Sequence, residues 1–189
     1  MMQVFSSRLR QASPVSCKPK MNLESLANKE IELYIMTIDL YHQPQSEENS
    51  ERLKVNFKAY KEVHRNYANL SDIDNEALKR GLFIQWYAMT EPNYLTGIDA
   101  LDEQAEHLII ESLNQRILNN DPDWELKWML DYYTSWDWIF DKFKDYEGLR
   151  KAIKIRQANS LPTDIDNDNM NNRGQMGKYW NSLTAFNKK

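Results

Sequence analysis

Four of the chain's six tryptophans fall between Trp124 and Phe140, in the stretch WELKWMLDYYTSWDWIF. At roughly 100° per residue on a helix, Trp124, Trp128, Met129, Tyr132, Tyr133, Trp136, Ile139, Phe140 and Phe143 share one broad face, which Leu126 and Leu130 extend. An ordinary amphipathic stripe is narrower than this. The segment therefore reads as a central helix from about Asp121 to Tyr146, with Pro122 at its first position and several neighbours around it. Three of its four tryptophans are expected in the core. Trp138 projects to the opposite side, among Lys127, Asp131, Thr134 and Asp141, with Asp137 farther round, where either the C-terminal tail or another helix covers it or it stands as an exposed anchor.

The remaining segments read as helices too, and with only five glycines and six prolines in 189 residues the chain has few breaks. Apolar spacing and capping residues predict a first helix over about Leu23–His42, capped by Asn22 and stopped before Pro44. A second runs over about Glu47–Leu70. A third spans about Asn75–Thr90, after the capping candidates Ser71, Asp72 and Asp74, and stops before Pro92. Its core, ALKRGLFIQWYAM, is apolar almost all round and calls for deep burial. Gln85 would then need hydrogen-bond partners, and Gly81 would allow close helix approach. A fourth helix is expected from near Gly97, with Thr96 as cap and Asp99 completing a capping box. After Gly148, LRKAIKIRQA forms a last helical piece, basic and without an acid.

Short connections favour antiparallel neighbours. The fold expected is all-α, a single up-and-down bundle of about five helices over residues 22–158. Residues 1–21 and 159–189 are expected as mobile extensions. The first carries Arg8, Arg10, Lys18 and Lys20 and no acid, and reads as a flexible extension or a targeting peptide, with Met21 as an alternative start. The second begins Asn-rich and polar, as disordered segments do, and ends on the apolar YWNSLTAF, which either docks back on the body, binds something else or packs on a neighbouring chain.

Several function classes have no signature here. The net charge of −4 offers no general attraction to nucleic acid or anionic membrane. The single cysteine, Cys17, excludes an intramolecular disulfide and a Cys-based zinc site. No phosphate-binding loop, nucleophile elbow, HExxH or dinucleotide fingerprint appears. DIDNDNMNNRGQ, from Asp164 to Gln175, resembles the start of an EF-hand loop. It departs at once, with Asn169 in place of the turn glycine and Gln175 in place of the final glutamate.

Polar residues inside apolar stripes are the remaining candidates. Glu30 interrupts the face of the first helix and His64 that of the second. In an antiparallel hairpin centred near Ser46 they stand at nearly the same level, so they are expected to meet in the core as a structural pair. Glu30, His64 and, from the fourth helix, His107 could alternatively hold a transition metal ion. Glu103, His107 and Glu111 share a face but read as solvated, and the Glu-x-x-His pairs of di-iron bundles are missing.

The leading functional expectation is a non-enzymatic cytoplasmic interaction module with no resident cofactor. It would bind a protein partner, or a second copy of itself, through Trp138 and its rim of Asp131, Asp137 and Asp141. The alternative expectation is a metal- or small-ligand-binding bundle built on the Glu30–His64 pair.

Overall fold

A computed structural model of the chain describes residues 22–136, 138–155 and 165–186. Expectations for residues 1–21, 156–164 and 187–189 and for Asp137 lie outside these. Among the described residues the protein is all-helical, with nine α-helices and one 3-10 turn.

The first three helices follow local chemistry closely. α1 covers Leu23–Tyr41, and the Asn22 side chain accepts from the Ser25 amide at 2.7 Å. α2 covers Glu47–Leu70 behind a Ser46 cap. α3 covers Asn75–Thr90, with Asp74 accepting from the Glu76 and Ala77 amides. Every residue from Ala77 to Trp86 is buried, so α3 is the central helix. A side chain at Gly81 would have its Cβ 2.4 Å from Ile109 Cδ1, so this glycine does permit close packing. α2 lies against α1 on one side and against α3 and α5 on others.

The next region departs from the expected pattern. Thr96 does not cap a long helix; it ends a single turn, α4, over Asn93–Thr96. Gly97 follows with φ +74°, a conformation that costs glycine little. The chain then stays non-helical while it buries Ile98. α5 begins only at Glu103, where Asp102 accepts from the Ala105 amide, and runs to Leu118.

The tryptophan segment is not one helix. α6 covers Trp124–Tyr133 behind an Asp123 cap, with Pro122 outside it. Thr134 and Ser135 end it: their hydroxyls donate back to the carbonyls of Asp131 and Tyr132. Such local bonds offer the backbone an alternative to continuing the helix. Turns and the 3-10 segment Asp141–Phe143 then carry Ile139, Phe140 and Phe143 into the core. Of the four tryptophans only Trp128 is buried; Trp136 is half-buried and Trp124, at the first position of α6, is 62% exposed. α7 covers Glu147–Ile155, and Gly148 brings its first turn against α5, donating its amide to Asn114 Oδ1 at 2.7 Å.

The largest correction concerns the C-terminal segment. In place of a mobile extension, α8 (Asn167–Met170) and α9 (Gly174–Phe186) are integral to the fold. α9 packs on α1 and α3. Met176 and Trp180 are fully buried. The Trp180 ring stands edge-on to Trp128 at 4.6 Å and to Tyr132 at 5.0 Å. Tyr179 meets Trp86, Tyr87 and Phe83, and its hydroxyl shares a hydrogen bond with that of Tyr132. The simple up-and-down bundle of five helices thus gives way to a bundle completed by its last helix. Replacing Trp180 with alanine is expected to cost about 3–5 kcal/mol of unfolding free energy. Chemical denaturation measures this, and a loss below about 1 kcal/mol would remove α9 from the core.

Candidate functional site

Two connected sets of buried polar groups are built around the turn that opens α9. In the first, Glu30 is buried on α1 and faces the α9 N-terminus. Its carboxylate accepts from the Gln175 amide at 2.5 Å and from the Tyr67 hydroxyl at 3.1 Å. Gln175 also receives the Tyr60 hydroxyl and donates to the Thr96 carbonyl at 2.7 Å. Gly174, at φ +64°, lets the backbone approach this closely: a Cβ there would lie 2.4 Å from Glu30 Oε2. Burial pushes the Glu30 carboxyl up to about 7, and the bonds from Gln175 and Tyr67 offset only part of that rise. The free amides of a helix N-terminus favour an anion at this point.

In the second set, Arg173 donates to both oxygens of Glu76 on α3 and both oxygens of Glu125 on α6. Arg80 pairs with Glu76 at 2.6 Å and donates to the Leu23 carbonyl. Lys79 bridges Glu125 and Asp123. Three cations thus face three carboxylates. Burial alone would raise the Glu125 carboxyl, but Arg173 and Lys79 outweigh it and hold it down at about 2. Asp166, one of the EF-hand-like residues, caps α8 instead.

The structure does not join Glu30 to His64. Both are buried, but among the described residues no hydrogen bond or ion pair links them. α2 is enclosed from several sides. Tyr60 and Tyr67 turn toward Glu30, while His64 turns toward Gly81 and Gln85 on α3. Among the described residues neither ring nitrogen of His64 makes a hydrogen bond of ordinary geometry. Burial lowers its pKa to about 4, so the ring is neutral. Gln85 donates to the Glu106 carbonyl, and among the described residues its oxygen accepts no hydrogen bond of ordinary geometry.

His107 stands apart, exposed on α5, with its Nδ1 3.2 Å from the Tyr146 hydroxyl and its ring edge-on to Phe143. The proposed metal trio therefore has three separate surroundings. No cluster of three or more His, Cys, Asp or Glu side chains fit for a metal occurs among the described residues. None of the described helices is long and apolar enough to cross a membrane.

At the surface, Trp138 is 50% exposed, in the turn that follows α6. Its carbonyl accepts from the Asp141 amide, which fixes this exposed carboxylate nearby in the chain. Asp131 is half-buried at the end of α6, and burial pushes its carboxyl up.

Sequence reasoning missed Arg173, Gly174 and Gln175. A glycine flanked by two polar side chains, just before Met176 and Trp180 at helical spacing, was the available signal. No protein-family model, curated protein or solved structure matches the chain.

The two buried titrating groups make opposite predictions for stability. Glu30 is raised from 4.5 to about 7, so its contribution is complete below pH 4.5 and is lost as pH rises through about 7. His64 is lowered from 6.5 to about 4, so its contribution is complete above pH 6.5 and is lost as pH falls through about 4. Each effect is on the order of 3 kcal/mol, and between pH 4.5 and 6.5 they offset each other. Glu30→Gln should leave stability rising with pH across that window, and His64→Gln should leave it falling. Denaturation at stepped pH reads both slopes; identical profiles for wild type and the two variants would refute the assignment.

Proposed function

We propose that the protein is a non-enzymatic helical interaction module, working in the cytoplasm, that binds a basic protein partner through Trp138. The observation that carries this reading is the half-exposed Trp138 ring, with Asp131 and Asp141 close to it in the chain. A large ring set among carboxylates has the composition of an interface hot spot. The ring supplies apolar burial and a face for a cation. The carboxylates steer a positively charged surface toward it. Asp137, between them in the chain, belongs to the same acidic rim by sequence.

The reading separates binding from folding. Trp138→Ala should leave the unfolding free energy within about 0.5 kcal/mol of wild type, as for other surface substitutions. The same variant should lose the basic proteins that the immobilised wild-type chain retains at low salt. Asp131→Asn with Asp141→Asn should weaken retention and its salt dependence. Unchanged retention by Trp138→Ala, or unfolding of that variant, would count against this surface.

A further inference from the structure

A second surface lies on the flank formed by α1 and α4. Tyr34, Ile38, Tyr41, His42, Tyr94 and Leu95 line a groove of about 450 Å³. Ile35, Tyr41, Tyr94 and Leu95 are among the exposed bulky apolar residues of the protein. By helical spacing Ile35 continues the same stripe of α1 as Ile38 and His42. The groove is already shaped. The Tyr41 and Tyr94 rings meet edge-on at 6.3 Å, and the Tyr41 hydroxyl donates to Asn93 Oδ1 at 3.0 Å.

Two exposed carboxylates adjoin its lining in the chain, Asp39 next to Ile38 and Asp99 four residues after Leu95, and neither forms an ion pair among the described residues. Burial and the Asp99 charge push the Tyr41 hydroxyl up. Lys178 stands with its ammonium 5.8 Å from the centre of the Tyr34 ring. An apolar groove with carboxylates close to its lining in the chain fits a cationic segment with an apolar stripe.

The chain carries such a segment itself. Met2, Phe5, Leu9 and Ala12 recur at the spacing of one helix face, and Arg8 and Arg10 accompany them without an acid. We propose that residues 2–12 dock on the Tyr34–Tyr94 groove of their own chain. The reach is sufficient. From Leu23, Tyr34 lies about 17 Å and Tyr41 about 27 Å along α1, at about 1.5 Å per residue. Residues 13–21 can span about 30 Å when extended, and Pro14 and Pro19 suit an extended connection. Docking would cover the exposed rings and pair Arg8 and Arg10 with Asp39 and Asp99. The groove is distinct from the Trp138 surface, so the inference does not rest on that reading.

Photo-crosslinking in the full-length chain tests this. A benzophenone-bearing phenylalanine replaces Phe5, and in a second sample Leu9, and the chain is illuminated at low micromolar concentration. Adducts within one chain should concentrate on residues 34–42 and 93–96. They should fall at least tenfold when Asp39→Lys is combined with Asp99→Lys, and likewise when Tyr94→Ser is combined with Leu95→Ser. All four positions are exposed, so these variants should keep the fold, which circular dichroism checks. Adducts scattered over other faces, adducts joining two chains, adducts insensitive to both double variants, or no adduct at all would overturn the proposal.

Discussion

Arg173 reaches two carboxylates at once, Glu76 on α3 and Glu125 on α6, while the next two residues close on Glu30 of α1. Three consecutive residues thereby tie the C-terminal helix to three separate parts of the bundle. The charges involved are largely withdrawn from water, so each would be costly without its partners. An alternative docking of α9, shifted by one turn, would leave Arg173 and Glu30 buried without these bonds. The network therefore selects one register for α9. Ring burial by Trp180 and Tyr179 then supplies apolar stabilisation in that register.

The same arrangement explains why Glu30 and His64 differ from what a two-helix view implies. Viewed as a hairpin, α1 and α2 present a carboxyl and an imidazole at one level. With α9 present, the carboxyl has a backbone amide and a tyrosine hydroxyl to accept from. The imidazole is left against α3, neutral and without good hydrogen bonds. One group prefers its protonated form and the other its deprotonated form, and both preferences come from burial. The core thus holds two titrating groups with opposing pH dependence but no metal-ligand set among the described residues.

Much of the first half of the fold was legible in the sequence. Asn22 and Asp74 mark helix starts that their side chains do cap, and the burial of residues 77–86 of α3 follows from its largely apolar circumference. Legibility fails where a local signal competes with a distant one. The 3.6-residue pattern of the tryptophan segment continues past Tyr133, yet the hydroxyls of Thr134 and Ser135 stop the helix there. The Asn-rich composition before α9 suggests disorder, and its partners lie about 50 to 145 residues away in sequence. Where Glu30 and His64 interrupt the apolar stripes was readable from helical spacing, but their azimuths depended on neighbours that no local pattern announces. Trp138 is half-exposed rather than covered by the tail or another helix, and the helix assumed for its projection ends before it.

With the core closed by α9, the surfaces proposed for recognition lie on elements that it holds in place: the turn after α6, and the α1–α4 flank. The central claim is that residues 173–186 are part of the cooperative unit. Native-state hydrogen exchange, read amide by amide, tests it most directly. If the claim holds, the interior amides of α9 exchange with a free energy near that of α3, close to global unfolding. Fast exchange across α9 with full protection retained in α3 would contradict it, and would leave a bundle that folds without its last helix.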